Sequence, residues 1–248
     1  MTRSKAWRIA AESAGRARAS LLVMVIAVAG CGGSQFGADL SAKPKPMPIR
    51  GVEDSTIRLP ADAPFSIRLA PARRDAGLDG TAQADAKADR SGSASASAKV
   101  KNGGTAAADF QLGHAFRNDT SRQIDLSFRL QFAYEFDASI TPDDGGKDAT
   151  VGLKLYARDD RNRTLAANTV VLHSTADGPA HGGAKDQQVE FTITLGPGEA
   201  VNVYLAGHAA VDTAEQRSAG GRVTLSGLSL EARTHAAPAV KTVGDEQG

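Results

Sequence analysis

The residues best suited to holding a metal ion are three aspartates in one short segment. Asp143, Asp144 and Asp148 lie on either side of the pair Gly145-Gly146. Calcium binds carboxylate and carbonyl oxygens, and loops usually supply these ligands. Aspartate and glycine also favour ordinary turns, and the segment lacks the aspartate spacing of an EF-hand loop. A calcium site and a plain turn therefore both remain interpretations of this segment.

The five histidines form no recognisable catalytic or zinc-binding pattern. No two of them have the spacing of a zinc motif, and no GxSxG nucleophile motif occurs in the chain. His114 follows the same alternation as Phe110 and Phe116, which predicts a partly buried core histidine. We therefore assign no catalytic residue and predict that the protein is not an enzyme.

Two tyrosines and an asparagine are the best candidates for a ligand-binding face. Tyr156 is out of phase with the apolar residues before it, and Tyr204 is out of phase with Val201 and Val203. Both tyrosines should therefore point to the polar side of their strands, together with Asn202. If those strands are neighbours, the three side chains form a patch for a glycan or an envelope protein. The alternative is that they are isolated surface residues.

The N-terminal residues carry the features of an export signal. Residues 1–20 contain five basic residues and one acidic residue, and the apolar run Leu21 to Ala29 follows them. A basic segment before a short apolar segment is typical of a secretory signal peptide. The run is too short to span a bilayer, which needs about 20 apolar residues. We predict that residues 1–30 are a signal peptide.

The end of this signal resembles the lipobox of bacterial lipoproteins. Val28-Ala29-Gly30-Cys31 carries the resemblance, and Cys31 is the only cysteine in the chain. The resemblance implies that the Cys31 thiol is acylated, for example with palmitate, and attaches the mature protein to a membrane. Two or more acyl chains attach a protein stably. Gly32 stands where family members kept in the inner membrane have aspartate. This implies an outer-membrane location in an organism that has one. An ordinary signal peptide is the alternative.

The charge of the mature chain excludes a nucleic-acid protein. Removal of the signal peptide leaves 24 basic and 27 acidic residues of the 29 and 28 in the full sequence. A chain of that balance has no basic field to attract phosphates. An acylated Cys31 also leaves no thiol for a disulfide, so the fold must depend on its apolar core.

The elements that must position these residues are β-strands. Between Ile124 and Phe136, apolar residues occupy every second position, as in a strand with one buried face. Similar alternation recurs along the chain between turn-forming residues, which predicts an all-β antiparallel β-sandwich, jelly-roll-like, with about eight to ten strands. Residues 81–100 alternate alanine with polar residues. A hairpin, a helix and a disordered segment all remain interpretations there.

These signals divide the chain into four parts. After the signal peptide, residues 31–51 contain a proline-rich run and are predicted to be a tether. Residues 52–233 are predicted to form the β-sandwich domain, and residues 234–248 a disordered tail.

The part from Ser91 onward resembles β-sandwich domains of exported bacterial surface proteins. The shared features are the SASASA tract, the long aromatic strand, the run LGPGEAVNVYLAG and the final VTLSGLSL strand. Together with the lipobox, the resemblance implies a membrane-anchored lipoprotein that binds or scaffolds something in the cell envelope without catalysis. The alternatives are a carbohydrate-binding module for envelope or matrix polysaccharide and a polysaccharide-active jelly-roll enzyme.

Overall fold

The computed structural model describes residues 44–51, 55–141 and 148–236, which form two packed β-sheets. The strands are β1 (Met47–Ile49), β2 (Thr56–Leu59), β3 (Ile67–Leu69), β4 (Ala72–Ala76), β5 (Thr81–Ala88), β6 (Ala94–Lys101), β7 (Gly104–Asn118), β8 (Ile124–Thr141), β9 (Ala149–Asp159), β10 (Thr164–Ser174), β11 (Ala180–Leu195), β12 (Ala200–Thr213) and β13 (Ser218–Ala236). The all-β sandwich is confirmed, although the strands exceed the predicted number. Among the described residues, no helix has the length and apolar character needed to cross a membrane.

Each sheet has a fixed strand order that determines which residues become neighbours. Sheet A has the order β1–β7–β12–β9–β10, and β3 and β4 also pair with β7. Sheet B has the order β11–β8–β13–β6–β5, with β2 beside β13. The only parallel pair among the described strands joins β1 to β7. We call the side of each sheet that faces the other sheet its inner face, and the opposite side its outer face.

The long alternating segment predicted from the sequence forms the first two thirds of β8. Its apolar residues from Ile124 to Phe132 are buried, and their polar neighbours lie toward solvent. Phe128 stacks on Phe191 of β11, with ring centroids 5.2 Å apart, and contacts Phe116 of β7 at 5.5 Å. Because Phe116 belongs to sheet A and the other two rings to sheet B, these contacts join the sheets. Burial of a large apolar side chain contributes roughly 1.5–3 kcal/mol.

Residues 81–100 form an antiparallel hairpin, β5–β6, so the helical and disordered interpretations were wrong. Ala94, Ala96 and Ala98 face the core, and the serines between them lie on the outer face. The Asp89 carboxylate closes the turn by accepting hydrogen bonds from the backbone N–H groups of Ser91 and Ser93. Alanine has high helix propensity, but burial of every second side chain outweighs this weak local preference.

The paired strands reach into both segments that flank the predicted domain. Strand β1 lies within residues 31–51 and pairs with Phe116, Arg117 and Asn118 of β7. Strand β13 continues to Ala236, within residues 234–248. The predicted signal peptide, Cys31 and residues 237–248 lie outside the described residues.

His114 lies on the inner face of β7, where it is 4% exposed. Its ring lies 5.1 Å from the Phe116 ring, and its Nδ1 accepts a hydrogen bond from the backbone N–H of Ser66. Burial lowers the pKa of His114 from its usual 6.5 to about 4, and a backbone hydrogen bond with Pro64 only partly opposes this shift. The imidazole is therefore neutral at pH 7, as expected of a core histidine.

The low pKa of His114 predicts a loss of stability in mild acid. Between pH 6.5 and pH 4 the unfolded chain binds a proton at His114 and the folded chain does not, so the free energy of unfolding decreases as the pH falls. We expect a decrease of about 2–3 kcal/mol from this residue. Urea unfolding at pH 7 and pH 4.5 measures this decrease in the free energy of unfolding. The His114→Asn variant should lack the contribution of His114 to the decrease.

The matched control for that experiment is His181→Asn, because the His181 side chain is 75% exposed. It should keep the pH dependence of the wild type. Equal acid sensitivity of His114→Asn and the wild type would show that His114 is not responsible.

Candidate functional site

The two tyrosines of the predicted ligand face lie side by side on the outer face of sheet A. Tyr204 of β12 is directly opposite Tyr156 of β9, and their rings stack with centroids 5.6 Å apart. The pair is buried, however, because Tyr156 is 8% exposed and Tyr204 is 0% exposed. The rings cannot offer the exposed platform that the sequence led us to expect for a sugar.

Neighbouring strands supply the cover over these tyrosines. Ile67 of β3 and Tyr204 both lie beside Gly113 of β7, and they belong to one buried cluster. A Cβ atom at Gly113 would lie 2.6 Å from the Tyr204 Cβ, so only glycine allows this close approach. The Arg158 guanidinium lies 4.5 Å from the centre of the Tyr156 ring, in a cation–π contact. The tyrosine face is thus a small second core.

Asn202, the third residue of the predicted face, lines a groove at the end of the sheet. We call this cavity of about 570 Å³ the end groove. The turn between β9 and β10, the start of β12, the end of β7 and the segment before β1 form it. Its lining includes Pro44, Pro46, Ala115, Arg117, Asp159, Asp160, Arg161, Asn162, Gly198, Ala200 and Asn202. Amide, guanidinium and carboxylate groups from distant parts of the chain therefore converge there.

Asp159 organises the turn that forms one wall of the end groove. Its carboxylate accepts hydrogen bonds from the backbone N–H groups of Arg161 and Arg163 and from the Arg163 guanidinium. Burial raises the pKa of Asp159, but these hydrogen bonds and the charge of Arg163 outweigh burial and hold the pKa below its usual 3.8. Such a group stays ionised at neutral pH and cannot act as a general acid there.

Asn162 and Asn202 give the groove amide groups that can both donate and accept hydrogen bonds. The Asn202 amide donates to the Asp159 carbonyl at 3.5 Å, and the Asn162 oxygen accepts from Arg158 at 3.1 Å. Arg158 also lies over the Tyr156 ring of the tyrosine pair. The buried aromatic cluster therefore supports the groove from the side.

The aspartates considered for calcium are only partly described. Asp143 and Asp144 lie outside the described residues. Asp148 forms an ion pair with Arg217 at 2.5 Å, and its backbone N–H donates to the Thr175 hydroxyl. In the described ranges, no group of three or more acidic, histidine or cysteine side chains could hold a metal ion. Calcium binding by the whole segment stays a prediction.

The outer face of sheet B carries a second concave surface, which we call the polar trough. Arg222 of β13 lies between Asp137 of β8 and Ser97 of β6, and Asp85 of β5 lies beyond Ser97. These residues and Gly220 line a cavity of about 600 Å³. The trough presents polar and charged groups, and none of its lining residues is aromatic.

Sequence reasoning also missed a histidine–aspartate pair in which His208 is buried and Asp109 is partly exposed. His208 Nδ1 and Asp109 Oδ1 are 2.7 Å apart on paired strands of sheet A. No sequence signal could reveal this pair, because the residues are 99 positions apart.

Comparisons with known proteins identify no relative from which a function could be taken. No protein-family model and no curated protein matches the sequence. One solved structure with some similarity is that of the Gt strain of infectious bursal disease virus, at 9% identity and a TM-score of 0.23. The match covers 78% of this chain and 43% of the viral chain, so this chain spans less than half the length of that protein.

Two further similarities concern carbohydrate-related proteins. The first is a glycoside hydrolase domain, Endo-D from Streptococcus pneumoniae, at 16% identity, with 64% of this chain and 21% of that chain covered and a TM-score of 0.19. The second is the CBM22-1 xylan-binding domain of Xyn10C from Paenibacillus barcinonensis, at 10% identity, with 68% and 94% covered and a TM-score of 0.17. Similarities this low carry no argument about this chain.

Proposed function

We propose that this chain is an exported, lipid-anchored protein of the cell envelope that binds an envelope component in the end groove and catalyses no reaction. The observation that carries the proposal is the position of Pro44 and Pro46, which line the groove together with Asn202. These prolines follow Cys31 by 13 and 15 residues. The segment that leads from the anchor is thus part of the binding groove.

The reach of the tether limits where the ligand can be. Each residue of an extended chain spans at most about 3.6 Å, so the residues from Cys31 to Pro44 can span no more than about 47 Å. A ligand in the end groove would therefore lie within tens of ångströms of the membrane surface. Envelope components that meet this condition include polysaccharide near the membrane and the exposed parts of other envelope proteins.

The lining of the groove favours a polar ligand. Asn202, Arg161 and Asp160 can exchange hydrogen bonds with hydroxyl, amide or carboxylate groups. A polysaccharide is the alternative ligand class to an envelope protein, because such groups also bind sugar hydroxyls. Burial of Tyr156 and Tyr204 weighs against it, since sugar-binding sites usually stack exposed rings against the sugar.

Two features weigh against the enzyme alternative. Glycosidases generally need a carboxylic acid whose pKa is raised, so that it can protonate the leaving group. Asp159 has its pKa lowered instead, and its oxygens already accept hydrogen bonds from the turn.

The proposal predicts that the double variant Asn202→Ala, Arg161→Ala binds isolated envelope at least about tenfold more weakly than the wild type. Loss of two or three hydrogen bonds, worth about 0.5–1.5 kcal/mol each, accounts for such a change. Both proteins should carry Cys31→Ser, so that an acyl chain cannot retain them. Co-sedimentation with protein-containing envelope, protein-free envelope polysaccharide and peptidoglycan measures the binding.

The matched control is Arg222→Ala, Ser97→Ala in the polar trough, which removes similar groups from the opposite sheet. It should bind like the wild type. Retention on protein-free polysaccharide that depends on the groove would establish the carbohydrate-binding alternative. Loss of binding only in the trough variant, or no binding to any fraction, would overturn the assignment of the end groove.

A further inference from the structure

Strand β10 is an edge strand that lacks charged residues and proline, although its pairing with β9 is irregular at two points. In the described part of the chain it pairs only with β9 and forms one edge of sheet A. Exposed edges normally carry charged residues or prolines that prevent another strand from adding to them. The eleven residues of β10, TLAANTVVLHS, include neither a proline nor an Asp, Glu, Lys or Arg.

The other strands at the margins of the two sheets carry a charged residue or a proline: β1 contains a proline, and each of the others contains at least one charge. Strand β11, at the edge of sheet B, contains Lys185, Asp186 and Glu190. Strand β5 contains Asp85 and Lys87, and β4 contains two arginines and an aspartate in five residues. Burial of such charges against a partner would cost free energy, whereas β10 has none to bury.

Strand β10 also carries most of the exposed large apolar side chains. The described residues contain three of them, and two are Leu165 and Leu172, which are 44% and 59% exposed. Val170 and Val171 are half-buried and pack against the edge of the core. Exposed apolar side chains beside unpaired backbone N–H and C=O groups are what an added strand would cover.

We propose that β10 pairs with β10 of a second copy of this chain, in antiparallel orientation, and joins the two A sheets. A partner that pairs with this edge without burying a charge must present an extended, uncharged strand, and β10 itself has this property. One strand then supplies both halves of the interface, as two-fold symmetry requires.

The register of β10 against β9 allows one specific self-pairing. Ala167 is opposite Tyr156, and Leu172 is opposite Gly152, so both face outward. Asn168 is opposite Leu155, and Val171 is opposite Leu153; these two partners lie on the inner face. The irregularity between Thr169 and Val171 shifts the alternation by one residue. A two-fold axis between Thr169 and Val170 places Ala167 opposite Leu172 and Asn168 opposite Val171. Outward residues then meet outward residues, and the exposed Leu172 covers Ala167.

Cysteine cross-linking tests this register in the full chain carrying Cys31→Ser, which has no other cysteine. The double variant Ala167→Cys, Leu172→Cys should form a disulfide-linked dimer under mild oxidation. Positions 167 and 172 of one strand are about 17 Å apart, too far for a disulfide within one chain. Each single variant should fail to cross-link, because the two-fold axis leaves equivalent positions about as far apart. Equal cross-linking of the single variants would overturn the proposed register.

Sedimentation velocity tests the dimer itself. The Cys31→Ser chain should be in a concentration-dependent monomer–dimer equilibrium, and Leu172→Lys should raise the dimer dissociation constant at least about tenfold, since a charge at the edge opposes pairing. Thr192→Lys, at an exposed position of the charged edge strand β11, is the matched control and should leave the constant unchanged. Circular dichroism should show that all variants are folded. A monomer at every concentration, or a dimer that Leu172→Lys does not weaken, would overturn the proposal.

Discussion

Replacing Cys31 with serine is expected to release the protein from membranes completely and to leave the sandwich folded. The acyl chains on Cys31 would provide the attachment, since each buried CH₂ group contributes about 0.8 kcal/mol and the anchor contains many of them. The chain has no second cysteine, so no disulfide is lost. Membrane fractionation after a high-salt wash measures the attachment, and thermal unfolding compares the fold of the released protein with that of the lipidated protein.

Gly32→Asp is the informative companion to this variant. It keeps the cysteine, so the protein should stay membrane-bound, but the lipoprotein resemblance implies a shift from the outer to the inner membrane. A Cys31→Ser protein that still sediments with salt-washed membranes would contradict the lipid anchor. A Gly32→Asp protein in the soluble fraction would contradict the assumption that residue 32 affects only sorting.

Replacing Tyr204 with alanine is expected to lower the free energy of unfolding by about 3–5 kcal/mol, the usual cost of removing a fully buried aromatic side chain. The ring is 0% exposed and stacks on Tyr156, and Ile67 belongs to the same buried cluster. Removal would leave a cavity in the cluster that Tyr204 shares with Ile67 and Tyr156, and would loosen the support of the end groove. Urea unfolding at neutral pH measures the effect.

Two controls separate this packing role from ligand binding. Tyr204→Phe keeps the ring and its stacking, so it should retain most of the stability and all of the envelope binding. Leu78→Ala, at a side chain that is fully exposed, should change the free energy of unfolding by less than about 0.5 kcal/mol. A Tyr204→Ala protein as stable as the wild type that no longer binds envelope would mean that the tyrosine contacts a ligand.

The positions of short or polar strands depend on partners that the sequence pattern does not show. Strand β1 lies in a proline-rich segment and β4 reads ARRDA, yet both pair with β7. The beginning of β11 lies in a segment rich in glycine and histidine that resembles a loop in sequence, yet it pairs with the end of β8. In each case the backbone of a long neighbouring strand supplies the hydrogen bonds.

The sequence by itself determined the fold class and the buried faces of the long strands. Alternation from Ile124 onward placed the core side of β8 correctly, and the phase of Tyr156 and Tyr204 placed both on the outer face of their strands. It also supplied the export and lipidation predictions, because these depend on a contiguous stretch of residues that is read without folding.

Only the tertiary structure decided what covers each face. The alternation could not show that β3 brings Ile67 into the cluster that buries Tyr204, or that Pro44 and Pro46 meet the turn at Asp159 to form the end groove. Alternation of apolar residues indicates which face of a strand is apolar. Whether another strand covers a given face depends on pairing between segments that are distant in the sequence. The order of strands in sheet A is that pairing, and the absence of a side chain at Gly113 allows Tyr204 to approach closely; neither feature leaves a periodic signal in the sequence.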